Sequence, residues 1–344
     1  MSTQPATAPV GWGILGTGAI AAKFASDLAR VPASRLAAVG SRRRDTAEAF
    51  AAAHAVPVAF DSYEALVQCP AVDVVYVATP HSCHRPNTLL ALDAGKAVLC
   101  EKPFALTAGE AAEMIAAARQ RRLFLMEAMW TRCFPLMDRL HHWINTGVLG
   151  DLRMLTADFG YRAEPAEKPR LFDPGLGGGA LLDVGVYPIA LAWNLFGPPH
   201  TVASQACLAT PNVDESCSIL FHHANGALAL LSASMGVDTA KEAVLCGTRA
   251  AARLPCPWWK PSVLILSREG TDIEIVREPF AGFGYQYEIL EVLRCLHHGL
   301  LESPRMPLDE SLAIMRALDT LRAQWVTSPT QDRRTRNELR HEML

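Results

Sequence analysis

Val10-Gly11-Trp12-Gly13-Ile14-Leu15-Gly16-Thr17-Gly18-Ala19-Ile20-Ala21 is the stretch from which the architecture of this chain can be read. Its first six residues make a short apolar strand, and the residues from Ala19 to Arg30 have helical character. Between strand and helix stands Gly-x-Gly-x-x-Ala. In that context Gly16 permits the tight turn, Gly18 lets a pyrophosphate approach the backbone, and Ala21 lets helix and strand pack closely. The phosphates would meet the free N–H groups of the helix N-terminus, so Gly16, Thr17, Gly18, Ala19 and Ile20 are expected to cradle a dinucleotide. A second strand over 36–40 follows at the distance such a unit requires and ends in Ser41-Arg42-Arg43-Arg44. An NAD-specific unit places an acid there for the ribose 2′-hydroxyl. A hydroxyl and a guanidinium, Ser41 and Arg42, suit a 2′-phosphate instead. The alternative reading is a solvated basic helix start ahead of Asp45.

Working outward, helical runs near 62–67, 86–94 and 108–121 alternate with strands over 72–78, 97–100 and 123–127. Strands separated by helices imply a parallel, doubly wound sheet with right-handed crossovers, and ligands bind such sheets beyond the carboxyl ends of the strands. Lys102 sits at one of these ends, where Pro103 stops the ladder. It is the candidate proton-transfer residue and also borders the cofactor. Thr79 and Pro80 close the preceding strand, so Thr79, Pro80, His84, Glu101 and Lys102 are expected along the same cofactor edge. His81-x-x-His84 with Cys83 has the residue types of a metal site but not the spacing of a closed zinc site, and no metal is expected. The pairs His141-His142, His222-His223 and His297-His298 are expected at the surface.

After about Trp130 the pattern changes. A helical run over 135–146 is followed by strand-like segments and turns such as Asn225-Gly226, which indicate a largely antiparallel sheet in a domain of α+β type. Helical runs over 285–298 and 308–323 close the chain. The expected division is a dinucleotide-binding domain over 1–130 and a second domain over 131–344 that holds substrate. Inside the latter, Gly177-Gly178-Gly179 precede Asp183 and Tyr187, whose spacing of four puts carboxylate and phenol on one helical face. Trp258-Trp259 reads as packing or an interface.

Length and composition agree with this division, since 344 residues that are 50% hydrophobic suffice for two buried cores. A formal net charge of −3 leaves no electrostatic footprint for nucleic acid or an acidic membrane. The basic run Arg333-Arg334-Thr335-Arg336, interleaved with Asp332 and Glu338, reads as a solvated tail. Nine scattered cysteines without a Cys-x-x-Cys pair predict reduced thiols, and with no signal-peptide pattern over 1–9 and no charge-free run of spanning length the expected location is the cytoplasm.

Gly16-Thr17-Gly18, Thr79-Pro80, Glu101-Lys102-Pro103 and the glycine-led Asp183 to Tyr187 segment, in this order, resemble the Gfo/Idh/MocA oxidoreductase family over almost the whole chain. Residues 97–103, 123–132 and 178–183 are similar to the dimeric dihydrodiol dehydrogenase branch of that family. The resemblance implies an open-faced second sheet that pairs two copies as a homodimer. It also implies NADP as cofactor, with NAD as the alternative, and a small diol or sugar as substrate, with Lys102, Asp183 and Tyr187 as catalytic residues. Many members carry histidine at the position of Tyr187, and the tyrosine favours the dihydrodiol-like branch. A reductase of a keto or anhydro sugar is the second expectation, and a cofactor-binding regulator without catalysis is a third, disfavoured because Lys102 and Tyr187 are both present.

Overall fold

The computed structural model describes residues 9–210 and 213–326, so the basic run at 333–336 and residues 1–8 lie outside the described residues. The chain begins with β1 (Val10–Leu15), α1 (Ala19–Leu28), β2 (Ser34–Gly40), α2 (Arg44–His54), β3 (Val58–Phe60) and α3 (Tyr63–Val67). It continues with β4 (Val74–Val77), α4 (His84–Asp93), β5 (Ala97–Glu101), α5 (Ala108–Arg121) and β6 (Leu125–Ala128). The six strands form one parallel sheet in the order β3-β2-β1-β4-β5-β6. Helices cover both faces, which is why Trp12, Ile14, Val74, Val75, Val98 and Leu99 are fully buried in near-continuous apolar runs. The ends of α5 follow from its caps. Thr107 accepts the Glu110 N–H at 3.2 Å, the Glu110 carboxylate accepts the Leu106 N–H at 3.0 Å, and Arg122 turns the chain off with φ 54°. The three-residue β3 is too short to leave a period in the sequence and is identified only by its pairing with Ala38–Gly40.

The second half contains α6 (Pro135–Asn145), β7 (Leu152–Gly160), α7 (Val186–Phe196), β8 (Pro199–Thr210), β9 (Val213–His223) and β10 (Leu228–Ser234). Then follow β11 (Ala243–Gly247), β12 (Ala251–Leu254), β13 (Val263–Arg268), β14 (Thr271–Arg277), α8 (Gln286–His297) and α9 (Leu308–Val326). Eight strands form a sheet in the order β14-β13-β12-β11-β7-β10-β9-β8, antiparallel throughout except for the parallel pair β7 and β10. One face packs on α7 and its preceding turn; the other leaves Met154, Leu220, Leu230 and Ile275 exposed. The fold is therefore α/β, with a Rossmann-type parallel sheet followed by an open-faced, mostly antiparallel sheet. The run Pro174–Phe196 is apolar and long enough to cross a membrane by composition alone, but 89% of its apolar 18-residue window is buried inside the molecule, so its apolar character serves the core. His223 is buried, contrary to the expected surface position of the histidine pairs, because it faces Phe196 and Phe221 on the covered side of β9. All nine cysteines are free thiols, and five are buried.

The last two helices return to the first sheet. Helix α9 packs on α5 and β6 as well as on α7 and β8, and α8 packs on α1 and on the 3-10 turn Trp130–Cys133. One carboxylate fixes this return. Asp27, fully buried on α1, accepts the backbone N–H groups of Phe283, Gly284 and Tyr285 at 2.8 to 3.0 Å, just ahead of α8. An anion at that place also suits the helix N-terminus. Removing it would strand three donors without water, so Asp27→Ala is expected to cost on the order of 3 kcal/mol or more, read as a lowered urea midpoint, with Asp27→Asn intermediate because one acceptor oxygen remains.

Candidate active site

In the strand order of the first sheet, the chain runs outward from β1 in one direction and from β4 in the other, so the crevice between their carboxyl ends is the switch point where a ligand fits. Gly16 has φ 104°, and a Cβ there would lie 2.6 Å from the Ala78 carbonyl oxygen, so only glycine turns the chain so tightly against β4. At Gly18 a Cβ would meet nothing within 4 Å, and Gly18, Ala19 and Ile20 are exposed at the start of α1. Open backbone with unpaired helix N–H groups fits a pyrophosphate. Beyond β2, Arg43 pairs with Asp45, and Arg44 pairs with Asp61 at 2.7 Å and Glu48 at 3.5 Å. Arg42 makes no ion pair among the described residues and is exposed beside this crevice, where its guanidinium is available to a 2′-phosphate. Ser41 is buried, with its hydroxyl 2.6 Å from that of Thr46, so the loop holds it in place rather than presenting it openly.

Lys102 follows β5 directly, as its sequence position predicts, and its Nζ donates to the Asp183 carbonyl oxygen at 2.7 Å. The same Nζ lies 5.0 Å from the ring centroid of Tyr187. Asp183 lies in a π-type turn, Leu181–Gly185, that leads into α7, and Tyr187 begins the helix proper. Both flank Lys102, and each side chain has hydrogen-bond partners of its own. The Asp183 carboxylate accepts from Tyr161 Oη at 2.8 Å and from Arg170 Nη2 at 3.1 Å; the Tyr187 hydroxyl accepts from the Trp130 indole at 3.0 Å. Because the indole only donates, the phenolic hydrogen of Tyr187 remains available to a substrate oxygen. Burial, then Glu101, push the Tyr187 phenol well above its usual value, so it stays protonated at neutral pH. Burial pushes Asp183 up, but Lys102 and the other cationic and donor groups around it outweigh that and hold it at about 2.

Two residues expected on the cofactor surface turn inward. His84 is fully enclosed, with Nδ1 2.8 Å from the Pro103 carbonyl and Nε2 3.0 Å from the Thr79 carbonyl, and burial lowers it to about 4. It braces the loops after β4 and β5 against each other, so any effect on a cofactor passes through Thr79 and Pro103. Glu101 accepts from the Tyr76 hydroxyl and from the Lys102 N–H at 3.1 Å, beneath the site rather than on it. His81 is a neutral imidazole, lowered by burial, with Nδ1–H donating to the Gly177 carbonyl at 2.9 Å and Nε2 facing Arg170 at 3.4 Å. Thr79 is likewise engaged, accepting from the Asn87 amide at 3.1 Å.

The structure adds residues that sequence reasoning did not single out. Trp259 stacks on Phe159 with centroids 3.6 Å apart, and Phe159 lies 5.4 Å from the Tyr187 ring, while Trp130 bonds to the Tyr187 hydroxyl. These rings form an aromatic wall beside Lys102. Trp258 is fully buried packing, whereas its neighbour Trp259 belongs to the site. Tyr161 and Arg170, on the segment between β7 and α7, carry no motif; a tyrosine at a strand end and a basic residue ahead of three glycines were the only signals.

A profile of the Gfo/Idh/MocA oxidoreductase family, NAD-binding Rossmann fold, matches residues 10–129, and the Gfo/Idh/MocA C-terminal domain matches residues 137–253. A trans-1,2-dihydrobenzene-1,2-diol dehydrogenase of Homo sapiens is 37% identical over 333 residues, spanning 94% of this chain and 99% of the relative. The protein of that name from Xenopus laevis is 36% identical, spanning 90% and 96%. Among solved structures, a 3-ketoreductase from Actinomadura kijaniata in complex with NADP and TDP-benzene superposes with a TM-score of 0.82 at 27% identity, covering 92% of this chain and 97% of that one. An aldose-aldose oxidoreductase from Caulobacter crescentus complexed with glycerol gives a TM-score of 0.82 at 25% identity, covering 91% and 96%. The chain belongs to the Gfo/Idh/MocA oxidoreductase family, close to its dihydrodiol dehydrogenases, and is an NAD(P)-dependent dehydrogenase or reductase.

A bound nicotinamide supplies hydride acceptance or donation. The chain's own residues are placed for the rest: α1 and Gly18 would hold phosphate, Lys102 and Tyr187 would move the proton of the reacting oxygen, and Asp183 bonds Tyr161 and Arg170 beside them. A positioned acid or base is worth roughly a hundred-fold to ten-thousand-fold. Lys102→Met is therefore expected to lose turnover on that scale and Tyr187→Phe about a hundred-fold or more, both with NADPH affinity retained in a fluorescence titration. Asp183→Asn should lose less, about ten-fold, because its carboxylate acts through its neighbours. Retained turnover at saturation with collapsed cofactor affinity would make Lys102 an anchor and leave the proton to Tyr187 alone.

Proposed function

We infer that this chain is an NADP-dependent oxidoreductase that moves a hydride between nicotinamide and a carbon of a vicinal diol or sugar, in the manner of a trans-dihydrodiol or pentose dehydrogenase. The observation that carries the reading is the wall of Trp130, Phe159 and Trp259 beside Lys102 and Tyr187. Flat aromatic rings stack on one face of a six-membered ring while a proton-handling pair meets its hydroxyl. The relatives named for oxidation of a trans-dihydrodiol support the same substrate class. Arg42, free of carboxylates while Arg43 and Arg44 are paired, supports NADP over NAD. A second reading, reduction of a keto or anhydro sugar, is favoured by the likeness to the NADP-bound 3-ketoreductase. Lys102 in contact with both Asp183 and Tyr187 argues against a non-catalytic regulator. The exposed apolar face of the second sheet supports a homodimer formed face to face, and free thiols support a reducing compartment such as the cytoplasm.

The test is to follow nicotinamide absorbance with NADP or NAD against trans-1,2-dihydrobenzene-1,2-diol, pentoses and keto sugars. Reduction of NADP by a diol or pentose is the expected result. Oxidation of NADPH by keto sugars alone would select the second reading, and no turnover with any of them would return the regulator. Arg42→Ala is expected to weaken NADPH binding about ten-fold to a hundred-fold, the loss of a charge-assisted contact of about 1.5–3 kcal/mol, and to change NADH binding little. Equal weakening of both would show that the 2′-phosphate is not read there.

A further inference from the structure

One buried acid takes no part in the contacts around Lys102. Glu288, in the first turn of α8, is fully buried, and neither of its carboxyl oxygens has a hydrogen-bond partner. A buried polar group without partners is rare and calls for a physical reason. The groups whose charge reaches it are Glu101 at the end of β5, Tyr76 on β4, Tyr187 on α7, Tyr285 just before α8, and Cys133 in the turn after β6. Asp27 of α1 faces Tyr285, and Lys102 faces Glu101. Rings enclose the space between these groups. Phe24 stacks on Tyr76 at 3.7 Å and meets Tyr285 at 6.1 Å; Tyr285 stacks on Trp130 at 4.5 Å, and Trp130 bonds to Tyr187. Glu101 is bonded to the Lys102 backbone, and its charge reaches Tyr187 as well as Glu288.

Two buried carboxyl groups within reach of each other's charge do not both ionise. Glu101 has two donors, the Tyr76 hydroxyl and the Lys102 N–H, and the Lys102 charge nearby; Glu288 has none of these. The anion therefore resides on Glu101 and the proton on Glu288, in the direction that burial and the charge of Glu101 both push it. We propose that Glu288 is a positioning residue of the proton-transfer site, a neutral carboxylic acid that shares a single negative charge with Glu101 behind Lys102 and Tyr187. The proposal rests on the reading of those two residues as the proton-transfer pair. Neutral, Glu288 leaves that pair facing one buried anion; ionised, it would add a second and hold protons on both. Interacting groups titrate as a set, so removing the anion of Glu101 must move Glu288.

Glu288→Gln keeps the neutral shape and cannot ionise. In heavy water at neutral pH, the infrared difference spectrum of wild type minus variant is expected to show the carbonyl band of a protonated carboxylic acid. In the pH profile of kcat/KM for NADP-dependent oxidation of trans-1,2-dihydrobenzene-1,2-diol, the limb set by the base is expected to stay where it is in the wild type, because one neutral group replaces another. A missing band, or a limb that moves toward acid by about half a unit or more, overturns the proposal, because Glu288 would then have carried charge in the wild type. So does a loss of kcat of about a hundred-fold with fold and NADPH affinity intact, because the site would then need the charge. If Glu288→Gln does not fold, Glu101→Gln takes its place: with the anion removed, the band of Glu288 is expected to titrate at lower pH than in wild type, and an unmoved midpoint overturns the assignment. A band present without turnover of any diol or sugar supports the charge assignment and fails the functional reading.

Discussion

The hydrogen bond of 2.7 Å from Lys102 Nζ to the Asp183 carbonyl joins residues 81 positions apart, one at the end of the parallel sheet and the other at the turn that leads onto the covered face of the second sheet. Each end is held by buried groups. On the first side, His84 ties Pro103 to Thr79, and Glu127 accepts the Phe104 N–H at 3.1 Å. On the second, Asp214 of β9 accepts the Leu181 N–H at 2.6 Å. Gly179, with φ 112°, passes so close to that carboxylate that a Cβ would lie 2.2 Å from it. A side chain at 179 would displace Asp214, and with it the turn that carries Asp183.

The field around Lys102 follows from what faces each acid rather than from burial alone. Asp183, Glu101 and Glu288 are all buried. Asp183 meets Lys102, Arg170 and the Tyr161 hydroxyl, and is held at about 2. Glu101 has Lys102 and two donors but also the cost of enclosure, and it is raised. Glu288 has only the enclosure and another acid, and it is raised furthest from its ordinary behaviour. The uneven reach of Lys102 and Arg170 thus sorts three carboxyl groups into an anion at the surface of the site, an anion beneath it and a neutral acid behind it.

Much of this was legible in the sequence wherever local chemistry dictates local shape. The glycine loop, Lys102 against Pro103 and the boundaries of α5 depend on neighbours in the chain, and the residues announce them. Positions fixed by partners far away did not show. His84 and Glu101 stand in the right loops for a cofactor surface, yet their direction is set by Thr79, Pro103 and Tyr76, which no spacing reveals. The step of four between Asp183 and Tyr187 suggested one helical face, whereas the structure puts Asp183 in a π-type turn and gives the two side chains separate donors, Tyr161 and Trp130. Trp258 and Trp259 look alike in sequence, and only the alternation of the chain past Phe159 sends one into the core and the other to the site.

The site also depends on the C-terminal helices in a way that the division at residue 130 conceals. Gly16 is fixed within the parallel sheet itself, its N–H bonded to the Gly40 carbonyl at 2.9 Å and its back against Ala78. Tyr187 has no such local support. Its hydroxyl is set by Trp130, Trp130 is stacked on Tyr285, and the Tyr285 N–H is held by Asp27 of α1 at 2.9 Å. Close packing transmits displacement along such a chain of rings, because neighbours have no free volume to absorb it. A shift in how α8 sits on α1 is therefore felt at the proton-transfer pair before it reaches the glycine loop, so the chemistry of this fold is more sensitive to the docking of α8 than its dinucleotide cradle is.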